Sequence, residues 1–98
     1  MRELIVDPAA KLDASDIADY YDTANLGLGT DFLMELARLI SLIHENPLLY
    51  PQYVRHTRKA SLSRFPYWVL YWFNDQLIHV VAIVDARRSP KWIETRLP

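Results

Sequence analysis

Arg64-Phe-Pro-Tyr-Trp-Val-Leu-Tyr-Trp-Phe73, a break at Asn74-Asp75, then Gln76-Leu-Ile-His-Val-Val-Ala-Ile-Val84: the reading of this stretch decides the fold. β-Branched and aromatic residues suit a pleated, half-buried surface. Two such runs across so short a break predict a β-hairpin. The turn has no Gly, but Asn and Asp accept positive φ better than most residues. Period two assigns the faces. Tyr67, Val69, Tyr71 and Phe73 share one side of the first run, and Trp68, Leu70 and Trp72 the other. In the second run Ile78, Val80, Ala82 and Val84 share a side, opposite His79, Val81, Ile83 and Asp85. The His79/Asp85 face is the more polar and is assigned to the open side. Neither face is truly polar, so the sheet needs cover on both.

Upstream, Val54 to Ser63 reads as the preceding strand. Ala60 and Leu62 share an inward parity that Arg58 and Arg64 match, whereas Lys59 has the parity of the open face. Before it, Leu48-Leu-Tyr-Pro-Gln-Tyr53 is a connector, and two helices come earlier still. Asp7-Pro8 signals the first start, Asp as cap and Pro at the first helical position. Ala10, Ala14, Ile17, Tyr21 and Ala24 form its apolar stripe. Asp13, Asp16, Asp19 and Asp22 fall elsewhere and read as a solvated face; no His or Glu joins them to suggest a metal. Asn25-Leu-Gly-Leu-Gly29 breaks the helix, with Asn25, Thr30 or Asp31 as candidate caps for the next. Phe32, Leu33, Leu36, Leu39, Ile40 and Ile43 form a second stripe, and His44 reads as a C-terminal cap. Asn46-Pro47 ends that helix. Arg2–Val6 is a short strand. Past the hairpin, Pro90 stops the last strand, and Lys91–Arg96 reads as one basic, aromatic helical turn. The class is α+β, with an antiparallel helical hairpin whose stripes bury against the sheet.

The 98 residues are expected to form one domain, residues 1–98. Without Cys there is no disulfide framework or thiolate chemistry, and a reducing, cytoplasmic setting is compatible. No signal peptide and no apolar run of about 20 residues is visible, so no membrane span is expected. The net charge of −1 conceals an asymmetry: residues 1–54 carry −6 and residues 55–98 carry +5. Basic residues clustered this way suit a polyanion or an acidic partner.

The order and spacing of several short motifs then resemble the RelE/ParE superfamily of toxins from bacterial type II toxin–antitoxin pairs, also called plasmid stabilisation proteins. They are Pro8-Ala-Ala10, Tyr20-Tyr21, Gly29-x-x-Phe-Leu33, Glu45-Asn-Pro47, Tyr50-Pro51, Arg58-Lys59, Arg64-Phe-Pro-Tyr67, Tyr71, and Arg87-Arg-Ser-Pro90 followed by Trp92. The resemblance runs nearly end to end. It implies a β-α-α-β-β-β fold, a helical hairpin on a curved, mostly antiparallel sheet, and a neighbouring antitoxin that wraps and blocks the toxin. No cofactor and no metal are expected. RelE-like members cut messenger RNA on the ribosome; ParE-like members act on DNA gyrase.

Metal-free RNA cleavage needs the 2′-hydroxyl deprotonated, the phosphorane charge stabilised and the leaving oxygen protonated. Lys59, Arg64, Arg87 and Arg88 could supply charge, and Asp85 or His79 could handle a proton. The family's nucleases often carry His where this chain has Asp85. A carboxyl beside Arg87 and Arg88 stays ionised at neutral pH and is a poor acid. The reading therefore leans to inhibition of a protein target such as gyrase, with the ribosome-dependent mRNA endonuclease and a degenerate, non-toxic binding module as alternatives. The expected antitoxin- or target-binding residues are Trp68, Leu70, Trp72, Arg58, Lys91 and Trp92, because large aromatics on an open sheet are typical anchors.

Overall fold

The computed structural model describes residues 1–98. Strand β1 (Glu3–Val6) leads into helices α1 (Pro8–Ala24) and α2 (Leu28–Glu45). Strands β2 (Arg58–Ser61), β3 (Tyr67–Phe73) and β4 (Leu77–Asp85) follow, then a short helix α3 (Pro90–Glu94). The sheet order is β1-β4-β3-β2, with β1 parallel to β4 and the other pairs antiparallel. This is the α+β, hairpin-on-sheet architecture expected from the sequence.

Local chemistry sets the boundaries. The Asp7 carboxylate accepts the Ala9 N–H at 2.9 Å and caps α1, with Pro8 in its first turn. No side chain of Asn25, Thr30 or Asp31 caps α2. Asp22 does the work from the other helix, accepting the N–H groups of Gly27 (3.1 Å) and Gly29 (2.8 Å). Gly27 has φ 94°, a conformation that favours glycine. His44 does not cap α2 either; its Nε2 lies 2.5 Å from the Arg2 carbonyl and ties the helix end to β1. In the β3–β4 turn, Asn74 Oδ1 accepts from the N–H groups of Gln76 and Leu77, both at 2.9 Å. That side-chain turn replaces the glycine the sequence lacks.

Strand bounds and faces also depart from the sequence reading. The strand predicted over 54–63 begins only at Arg58, because Arg55 (φ 55°) and His56 (φ 61°) are left-handed and turn the chain. The face assignment of β4 holds only for its first half. Leu70 pairs with Ala82 and Tyr71 with Val80, so Val81 is an extra, unpaired residue. Such a bulge flips the side-chain alternation beyond it and bends the strand. Ile78, Val80 and Ile83 consequently join the core under the helices, whereas Val81, Ala82 and Val84 join the opposite face. Asp85, paired with Tyr67, goes to the helix side, and His79 stays with Trp72 on the other.

The helix-side core is built around edge-to-face aromatics, with Phe32 against Phe65 (5.4 Å) and Tyr67 (5.7 Å), and Tyr21 against Phe65 (4.9 Å). The second face is not left open. Ile93 and Leu97 of the tail cover Leu70, Ala82 and Val84, with Tyr53 and Val54 at the edge. Arg96 locks this tail by donating to Asp13 of α1 at 2.7 Å. The same carboxylate accepts the Ile83 backbone N–H at 3.0 Å, so Asp13 does not belong to a solvated face.

Candidate functional site

The backbone N–H of Ala86 donates to the Pro66 carbonyl at 2.8 Å. That bond brings the β2–β3 connection and the chain after β4 to one end of the sheet, and Arg64, Arg87 and Arg88 with them. Arg87 grips Asp85 through two parallel bonds, Nε to Oδ1 at 3.0 Å and Nη2 to Oδ2 at 2.8 Å. Its backbone N–H adds a third at 2.8 Å. The Arg87 side chain holds the Asp85 carboxyl below the usual carboxylate range, against the opposing effect of burial. Asp85 in turn raises the pKa of Arg87. Nearby, burial pushes the Tyr67 phenol up to about 12. This end therefore holds a fixed cation and neutral phenols, but no proton donor of moderate acidity.

The other candidate nuclease residues do not join the Asp85–Arg87 pair. Arg64 lies toward α2, 3.8 Å from Asp31 and over the Phe65 ring at 5.4 Å. Its backbone N–H and that of Ser63 are held by Glu35 of α2. Lys59 is on the opposite face, as its parity predicted, with Nζ 4.1 Å over Trp68 and 5.1 Å over Tyr53. His79 hydrogen-bonds Asp7 at 3.2 Å, six residues along β4 from Asp85 and therefore about 20 Å away. No three His, Asp or Glu side chains converge on a point that could hold a metal ion.

The surface around the sealed second face is a rim of half-buried tryptophans, two of them capped by cations. Lys59 covers Trp68, Arg88 lies 3.8 Å over Trp92, and Trp72 packs on His79 at 5.3 Å. Exposed Lys91 projects from α3 beside them. Two expected binding residues drop out. Leu70 is completely buried beneath the tail. Arg58 turns to the helix side, donating to the Tyr50 carbonyl at 2.7 Å and lying 5.5 Å over Phe73. It clamps the connector that the sequence placed under the helix end.

One surface went unforeseen. A groove of about 450 Å³ runs between α1 and α2, with Ala10, Ala14 and Ala18 on one wall and Leu33, Ala37 and Ile40 on the other. The alanines at a spacing of four were its one sequence signal. Leu33 and Ile40 were assigned to burial against the sheet, yet Leu33 remains 42 % exposed.

No protein-family model matches the sequence, and no curated protein does. Solved structures do match. One, described as the chromosomal ParDE TA system from P. aeruginosa, aligns with a TM-score of 0.80 at 16% identity, covering 89% of this chain and 98% of that one. At that identity the likeness establishes the architecture: this chain has the fold of a chain in the ParDE system.

Proposed function

We propose that this protein is the toxin of a type II toxin–antitoxin pair, silenced by a cognate antitoxin, and that it acts on a protein such as DNA gyrase rather than on messenger RNA. The ParDE-like fold over 89% of the chain supports the toxin half of the reading. The observation that carries the choice of target is the Asp85–Arg87 lock. The carboxyl beside Arg87 and Arg88 is held ionised, so it cannot protonate a leaving 5′-oxygen. Lys59 and Arg64, needed to stabilise a phosphorane, lie on opposite sides of the sheet. The Trp68/Trp72/Trp92 rim, with Lys59, Arg88 and Lys91, is the surface offered to antitoxin or target. Half-buried aromatics and cations are the residue types that dominate protein interfaces.

The test is induction of the chain alone. Growth arrest with altered plasmid supercoiling, a DNA-damage response and intact transcripts is the expected result. Transcripts cut on the ribosome, with Arg87→Ala and Lys59→Ala each lowering cleavage by about 10²–10³-fold without unfolding, would establish the endonuclease instead. Unimpeded growth would point to the non-toxic binding module.

A further inference from the structure

The turn before β2 is strained. Arg55 (φ 55°) and His56 (φ 61°) are consecutive left-handed residues, and neither is glycine. A residue with a Cβ adopts that conformation at a cost in free energy, so its surroundings must hold it there. Thr57 does this from inside the fold. It is 1% exposed, and its backbone N–H and its hydroxyl both donate to the Val54 carbonyl. Its own carbonyl accepts the Tyr53 N–H at 2.8 Å. Gly, Asn and Asp, which suit such a turn best, are absent from Val54-Arg-His-Thr57. The strain instead carries an exposed imidazole, His56.

His56 stands on the wall of a cleft of about 370 Å³ between this turn and the end of β3, lined also by Gln52, Tyr53, Thr57, Arg58 and Phe73. No carboxylate is among these residues. Arg58 supplies a fixed guanidinium: Nη1 is committed to the Tyr50 carbonyl at 2.7 Å, while Nε and Nη2 make no hydrogen bond within the protein. Arg2 adds a second positive charge, 5.0 Å over the Phe73 ring that Arg58 covers at 5.5 Å. Lys59 lies over the Tyr53 ring. Both aromatic walls already stack with cations, so the cleft offers charge and hydrogen bonds rather than a stacking face. It is also separate from the basic end of the sheet. Phe73 lies six residues along β3 from Tyr67, the partner of Asp85, a distance of about 20 Å.

We propose that this cleft binds a phosphate group, either free or as the monoester of a small, hydroxyl-bearing molecule. The Nε–Nη2 edge of Arg58 takes two of its oxygens and His56 a third. Gln52 and Tyr53 hydrogen-bond the remainder. At about 370 Å³ the cleft falls in the size range of small-molecule sites. This site is independent of the toxin reading, but it reaches the rim, because Tyr53 packs edge-on against Trp68 at 5.7 Å.

Inorganic phosphate, ribose 5-phosphate, ribose and acetate, each titrated at constant ionic strength, test the proposal through the amide NMR shifts of residues 52–58 and Phe73. Both phosphates are expected to shift these amides saturably, and the tighter of the two names the source. Ribose should shift none, and acetate should bind at least about tenfold more weakly, the loss of one charge-assisted hydrogen bond. Arg58→Gln should weaken phosphate binding at least about tenfold. Because Arg58 also clamps the connector, His56→Gly is the second variant. Glycine adopts a positive φ freely, so Tm should stay level or rise while phosphate affinity falls about tenfold. A turn strained for packing alone would gain Tm and keep its affinity. That result, no saturable shift with either phosphate, equal binding of acetate, or shifts centred outside the cleft would overturn the assignment.

Discussion

Asp13→Ala should loosen the whole second face. Its carboxylate accepts the Ile83 N–H at 3.0 Å and the Arg96 guanidinium at 2.7 Å, and the two side chains are 16% and 25% exposed. Truncation leaves the N–H of a buried strand residue without an acceptor, which costs about 1–3 kcal/mol. It also strands the guanidinium. A fully buried orphan charge costs about 3–5 kcal/mol, but a quarter-exposed one recovers most of that from water, leaving about 1 kcal/mol. The expected loss is therefore about 2–4 kcal/mol, a fall in Tm of about 10–25 °C for a domain of this size. Arg96→Ala, which spares the Ile83 acceptor, should cost only about 1 kcal/mol. Urea unfolding of both variants and the double mutant, followed by circular dichroism, measures these terms and their coupling. Because Ile93 and Leu97 cover Leu70, Ala82 and Val84 beside Trp68 and Trp72, a slackened tail should red-shift tryptophan emission below the unfolding midpoint. A loss under about 0.5 kcal/mol for Asp13→Ala, or equal losses for the two variants, would refute the reasoning.

Acid should destabilise the fold through three carboxylates. Asp7 is held low by the Ala9 N–H and then by His79, and Asp85 by the Arg87 side chain; Glu35 is held low by the N–H groups of Ser63 and Arg64, which outweigh the upward push of burial. Lowered folded values mean that their stabilisation is complete above about pH 5 and is lost as pH falls through those values, which urea midpoints between pH 2 and 7 will follow. Burial pushes Tyr67 and Tyr71 up to about 12, so their stabilisation is complete below about pH 10 and is lost as pH rises toward 12. Absorbance at the phenolate band should show part of the tyrosine titration appearing only as the fold opens. Gly29→Ala places a Cβ 2.3 Å from the Ala18 carbonyl oxygen and 2.8 Å from the Asp22 Cγ, so it should cost about 2–3 kcal/mol by prying α1 from α2. Gly27→Ala meets nothing within 4 Å and should cost about 1–2 kcal/mol from its positive φ alone, a contrast that thermal unfolding will resolve. Arg87→Ala should leave the urea midpoint nearly unchanged, because its pair with Asp85 is exposed on the arginine side.

The sequence by itself determined the order of the elements, the hairpin at Asn74, the Asp7-Pro8 helix start and the opposite facing of Lys59 and Arg64. Each follows from side-chain period, a cap or a turn, which act over a few residues. Tertiary structure decided what each face meets. The bulge at Val81 left no trace in Val80-Val-Ala-Ile-Val84, because every residue of that run is apolar and suits either side. Asp13 gave no sign that it would serve Ile83 and Arg96, which lie 70 and 83 residues away. The face read as open was sealed by Ile93 and Leu97, because two apolar side chains in a short tail gain more from burial on Leu70 and Val84 than from water. The groove between the helices likewise follows from how far the stripes of α1 and α2 exceed what one sheet face can cover. Period reports that a stripe exists; only the packed elements determine how much of it remains outside.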